Sequence, residues 1–304
     1  MRKLTSIKKE EAGMADYVIL TDSTCDLPAE VAERNDLLLV HLSVLLEGKV
    51  YTNYLDGREL SYEDFYGSMR NKKLPTTSAV NMADFLDTME PVLEEGKDIL
   101  YIGFSSTMSG TYNAGCAAAR ELLEKYPDRK ILTVDSRCAT TGEGLLVELC
   151  AMEKAKGKSI DEVAKFAEDN KMRIRHMFTV DDLFHLVRGG RTTRATAIIG
   201  SMLGIKPMLT VNIEGLVDAF DKTRGRKKAF KMIVEDVAEN ITDPSLPLYV
   251  SHGDDEKGAE ELAAMIKERV GCTDIRISYL GVVCGCHGGP GLVGVFYYGK
   301  ERTK

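Results

Sequence analysis

The chain has 304 residues, of which 44% are hydrophobic and 29% charged, with a formal net charge of -7 and seven cysteines. That length supports one large domain or two ordinary ones with full cores, and the acidic balance argues against a general nucleic-acid or anionic-membrane surface. No apolar run approaches a bilayer span, residues 1–16 lack the apolar block of a secretory signal, and an odd, scattered set of cysteines suits a reducing compartment; the expectation is a cytoplasmic protein without stable membrane insertion.

Residues 1–16 read as a polar extension, after which strands and helices alternate. "YVILTD" (17–22) is a short β-rich run, and "STCDLPAEVAERN" supplies a cap, Pro28 for a first helical turn, and a helix. "LLLVHLSVLL" and "KVYTNYL" flank Glu47 and Gly48 as a hairpin, and Ser61 with Asp64 opens the helix "SYEDFYGSMR". The loop "NKKLPTTSAVN" leads to the helix "MADFLDTMEPVLEEG" and the strand "DILYIGFS". The helix "TYNAGCAAARELLEKY", the strand "KILTVDS" and the helix "GEGLLVELCAMEKAKG" follow. Strands that are apolar throughout and separated by helices predict a sheet covered on both faces. Residues 17–155 are therefore expected to form a doubly wound α/β domain with a mostly parallel sheet.

The rhythm then changes. A capped helix "SIDEVAKFAEDNKMRI", a strand "HMFTV", and a glycine-punctuated turn and helix in "RGGRTTRATAIIGSMLG" precede two strands joined at Glu214 and Gly215. A helix from Lys227, the strand "LPLYVSHG", another helix, the strand "DIRISYLG" and the closing run "GLVGVFYYG" complete the chain. Residues 156–304 are expected to form an α+β domain with a mixed sheet. No flexible linker separates the halves, so a ligand-holding cleft between closely packed domains is expected.

Ligand-facing residues of an open parallel sheet lie just past the carboxyl ends of its strands. Three such loops are chemically rich: Asp22, Ser23 and Thr24 after the first strand; Ser105, Ser106, Ser109 and Thr111 after "DILYIGFS"; and "SRCATTGEG". Each hydroxyl could simply cap a helix. Helix N-termini with nearby hydroxyls also suit a carboxylate or phosphate. The helix at "KTRGRKKAF" carries Arg224, Arg226, Lys227 and Lys228 in or before its first turn, opposing the helix dipole, which an anion would explain better than a solvated face. Arg188, Arg191 and Arg194 flank a turn at Gly189 and Gly190. In "GCHGGPG", glycines surround His287, which reads either as part of a tight turn or as a group presented to a ligand. "CGCH" lacks the second spaced pair of a zinc site, and no metal or cofactor is expected.

"TDSTCDLP", "TTSAVN", "SSTMSGTYNAG", "LVRGGR", "KTRGRKKA" and "GCHGGPGLVG" come in the order and approximate spacing of the DegV family, which the chain resembles from Tyr17 to Gly299. These are bacterial fatty-acid-binding proteins, some serving as the acyl-presenting subunit of a fatty acid kinase. The resemblance implies a non-enzymatic, lipid-binding, two-domain protein that holds a long-chain fatty acid in an apolar tunnel, with its carboxylate near the cleft. It implies head-group contacts from Thr77 with Ser78, Ser109, Arg224 and His287. Where the family commonly has Gln and Pro after its Thr-Ser, this chain has Ala79 and Val80. The implied partner is a separate ATP-dependent kinase catalytic subunit, for which Arg191, Arg194, Arg226 and Lys227 are docking candidates.

Two other readings differ in class. Ser109, His287 and Asp22 could be nucleophile, base and orienting acid of a serine hydrolase acting on an acyl ester, although "MSGTY" lacks the G-x-S-x-G elbow. A nucleotide- or sugar-phosphate enzyme would need a glycine-rich cradle that "TDSTCD" does not provide.

Overall fold

The computed structural model describes residues 16–192 and 204–303. In chain order the first half contains β1 (Tyr17–Asp22), α1 (Ala29–Arg34), β2 (Leu37–Val40), β3 (Ser43–Leu46), β4 (Lys49–Thr52), α2 (Tyr62–Arg70), β5 (Thr76–Ser78), α3 (Met82–Glu94), β6 (Asp98–Gly103), α4 (Thr111–Lys125), β7 (Ile131–Asp135) and α5 (Thr141–Ala155). The second half contains α6 (Ile160–Asn170), β8 (Ile174–Thr179), α7 (Phe184–Gly189), β9 (Ile205–Val211), β10 (Val217–Arg224), α8 (Arg226–Asn240), β11 (Leu248–His252), α9 (Glu256–Val270), β12 (Ile275–Tyr279), α10 (Val282–Gly288) and β13 (Val293–Tyr298).

The apolar runs of β1 and β6 are buried almost end to end because they form the centre of a parallel sheet ordered β2-β1-β6-β7. The order in which strands are added reverses between β1 and β6, the kind of switch point at which open α/β sheets leave a crevice at the carboxyl ends of their strands. A mixed sheet, ordered β10-β9-β8-β13-β11-β12, is antiparallel except for the β11–β12 pair. The expected two-part α/β architecture is thus present. A small antiparallel sheet, β4-β3-β5, adds the hairpin at Glu47 and Gly48, whose φ angles of 51° and 83° match a two-residue primed turn.

Several elements differ from the expected ones: "LLLVHLSVLL" is split into β2 of the parallel sheet and β3 of the small one, and α7 precedes the turn at Gly190. The stretch read as a loop after Lys73 contains β5, which is too short and polar to show a period but finds a partner in β3. The glycine-rich run around His287 is not a tight turn but helix α10: Val282, Val283 and Cys286 bury against Phe65 and Tyr66 of α2, and that packing overrides the low helix propensity of its glycines. A side chain at Gly285 would collide with Tyr66, whose hydroxyl donates to the Leu280 carbonyl at 2.7 Å. The helix expected after Arg194, and Arg194 itself, lie outside the described residues.

Helix α5 lies between the two large sheets. Leu145, Leu146 and Leu149 pack with Ile19 and Ile102 of the first and with Tyr249 and Phe296 of the second. Apolar burial on nearly all sides explains why its sequence shows little amphipathic pattern. At its start, a Cβ added to Gly142 would overlap Nε2 of His176 on β8. Gly142→Ala is therefore expected to destabilise the protein by about 1–3 kcal/mol through overpacking. An unaltered urea midpoint would contradict this contact.

Candidate functional site

The carboxyl ends of β1 and β6 open onto a cavity that encloses about 920 Å³ of empty space, its open end to solvent included. Its wall is mostly apolar, with Phe104 and Met108 from the loop after β6, Phe178 and Val211 from the mixed sheet, and Val283 and Leu292 from around α10. Polar lining residues fall into two groups. Thr77, Ser109, Arg191 and His287 are partly exposed, whereas Thr24, Thr140 and His176 are buried.

In the exposed group, α10 carries His287 to the end of β5, where its Nε2 lies 3.1 Å from Thr77 Oγ1. Burial, reinforced by Arg191 and Arg188, holds the imidazole down to about 4, so it is uncharged at neutral pH, and its Nδ1 has no hydrogen-bond partner. Gly189 leaves room for this ring, since a Cβ there would overlap Nδ1. Ser109 Oγ lies 3.0 Å from Thr111 Oγ1 at the start of α4. Arg191 donates from Nε to the Met108 carbonyl at 3.2 Å, and also to the Gly189 carbonyl, which fixes a guanidinium beside Ser109 and His287.

Two residues expected here lie elsewhere. Ser78 is exposed and absent from the cavity wall: side chains alternate along β5, and Thr77 takes the inward position. Arg224 is exposed at the end of β10 and does not line the cavity. Arg191, read from sequence as a turn-flanking or docking residue, is the arginine in the wall among the described residues. Its signal was its place after two glycines, which let the chain turn back toward α10.

Beneath the cavity, Asp22 caps the turn after β1, accepting from the Thr24 amide at 3.1 Å and the Phe104 amide at 3.0 Å. Thr24 Oγ1 lies between Asp22 and Glu143, which also accepts from Thr21 Oγ1 at 3.0 Å. A single hydroxyl proton cannot serve both carboxylates. Burial pushes Asp22 up and Glu143 well up, the latter also through Asp22. Thr140 donates to Asp26 at 2.6 Å, and burial raises Asp26 to about 7.

These contacts do not form a hydrolytic relay. Ser109 is paired with Thr111, His287 with Thr77, and Asp22 with Thr24 and Phe104. Among the described residues no group of three or more His, Cys, Asp or Glu is placed to hold a metal. No helix among them is long and apolar enough to cross a membrane.

The family described as DegV, an uncharacterised protein family, matches residues 16–300. The chain belongs to the DegV family. A DegV domain-containing protein of Clostridium perfringens is 43% identical over 290 residues, covering 95% of this chain and 99% of that one. The fatty-acid-binding DegV family protein of Thermus thermophilus superposes with a TM-score of 0.84 at 30% identity, over 94% of this chain and 100% of its own. DegV of Bacillus subtilis, a fatty acid binding protein, gives a TM-score of 0.80 at 30% identity with the same coverage.

Proposed function

We propose that this DegV family chain binds one long-chain fatty acid between domains 17–155 and 156–304, and presents its carboxylate to a separate kinase subunit in the bacterial cytoplasm. The observation that carries the reading is an apolar cavity whose partly exposed end gathers two hydroxyls, an imidazole and a guanidinium, a donor set suited to a carboxylate taken out of water. The solved relatives named as fatty acid binders support it. In this reading Thr77, Ser109, Arg191 and His287 hold the head group. The kinase subunit supplies ATP and forms the acyl phosphate. Lys227 is exposed and suits docking, whereas Arg226 is tied to Asp181 and Asp255.

Mass spectrometry of ligand extracted from native protein tests the binding. One long-chain fatty acid per chain is expected. Recovery of no acyl lipid, with stoichiometric labelling of Ser109 by a fluorophosphonate, would favour the ester hydrolase. Acyl phosphate made by this chain alone with ATP would remove the need for a kinase partner.

His287→Ala should leave most acyl affinity intact, because each buried methylene contributes about 0.8 kcal/mol and one neutral hydrogen bond only about 1. Acyl phosphate formation with a competent kinase subunit should fall more than tenfold, since a more highly charged phosphate depends further on the donors around it. Equal, small effects on both readings would make the histidine a packing residue.

A further inference from the structure

We propose that Arg188 is a positioning residue for the head-group end of the cavity: it ties together the elements that carry Thr77, His287 and Arg191, and so holds the first two in contact. The inference rests on the fatty-acid reading above, in which those side chains meet the carboxylate. Arg188 itself does not line the cavity, so it acts only through its neighbours.

Arg188 stands near the end of α7, separated from Arg191 by Gly189 and Gly190. From there its Nη2 donates to the Pro75 carbonyl at 3.0 Å and to the Cys286 carbonyl at 3.4 Å. Pro75 directly precedes β5, whose middle residue is Thr77, and Cys286 directly precedes His287 in α10. The Cys286 thiol donates to the same Pro75 carbonyl at 3.0 Å, which closes a ring of contacts across the two halves of the chain. One guanidinium thus reaches the backbone beside each member of the Thr77–His287 pair.

Both anchored elements need this support. β5 has three residues and pairs only with β3, so few main-chain bonds fix where its side chains point. α10 has seven residues, and the Cys286 carbonyl is among the last four of the helix, which find no partner within it. A cation at that end also suits the helix dipole. Among the described residues every polar partner of Arg188 is a main-chain carbonyl or the Cys286 thiol. A partly buried guanidinium without a carboxylate beside it costs stability. Its donors fix two backbone segments instead of neutralising a charge, the kind of support a binding group needs to stay within about 0.5 Å of its working place.

A double-mutant cycle in the full chain tests this, with stearic acid affinity read by calorimetry on delipidated protein. Arg188→Met is expected to weaken binding roughly tenfold in the parent, but less than about threefold in a chain already carrying Thr77→Val and His287→Ala, because the groups it positions are gone. Arg188→Lys carries the same cycle where the methionine variant does not fold, with the same non-additivity expected. The nitrogen resonance of His287 Nε2 gives a reading that general destabilisation would not move. In Arg188→Met it should leave the parent position and approach that of Thr77→Val, which removes the partner at 3.1 Å. Additive losses in the cycle, or an Nε2 signal unmoved from the parent, overturn the positioning role, and stearic acid binding by the parent then leaves the fatty-acid reading standing. A parent that binds no stearic acid overturns both.

Discussion

Arg191→Ala is expected to weaken binding of a long-chain fatty acid by roughly 100-fold, about 3 kcal/mol, the scale of removing one partner from a desolvated charge pair. Arg191 is the guanidinium in the cavity wall, fixed by the Met108 and Gly189 carbonyls. A fatty alcohol of equal length carries no charge, and its affinity should change less than threefold. The exposed Arg224 serves as the comparison, because Arg224→Ala should leave both ligands near the parent values. Calorimetry on the four combinations of ligand and variant decides the matter. Equal losses for acid and alcohol, or a larger loss from Arg224→Ala, would move the head-group contact away from Arg191. The same substitution removes a charge that depresses His287, so the histidine should titrate closer to its ordinary value in the variant, as NMR of the ring would register.

Asp26→Asn is expected to stabilise the protein at pH 8 and to do so progressively less as pH falls toward 4. The carboxyl is fully buried, and burial raises it from an ordinary 3.8 to about 7 against the Thr140 hydrogen bond. The sign follows from proton counting. A raised carboxyl favours the folded state fully below its unfolded value, and that advantage is lost as pH rises through the folded value. Across this window the wild-type cost is on the order of 4 kcal/mol, from about three pKa units at 1.36 kcal/mol each. Urea midpoints of parent and variant at pH 5 and 8 give the test, and a difference between the two proteins that is the same at both pH values would show that Asp26 does not titrate there.

Much of the first sheet was legible because β1, β6 and β7 are apolar runs punctuated by capped helices, and a parallel sheet buried on both faces leaves that mark. The hydroxyl loop at Ser109 was legible for the same reason: it follows a central strand. What escaped depends on contacts distant in sequence. β5 exists because β3 lies beside it, so nothing in "TTS" alone announces a strand or shows that Thr77 faces inward and Ser78 outward. Helix α10 reads as a turn until α2 is known to cover it. The exchange of Arg224 for Arg191 has a similar origin: local charge pattern drew attention to the basic helix, whereas the cavity is lined from the loop after α7.

Helix α10 also sets a schedule for the molecule's birth. Phe65 and Tyr66 leave the ribosome long before Val282, Val283 and Cys286, which help to cover them. Until then the nascent first half bears an uncovered aromatic face, and His287 has not yet been made. A message truncated upstream of residue 282 therefore encodes a sticky fragment rather than a weakened fold, a substrate for chaperones and proteases.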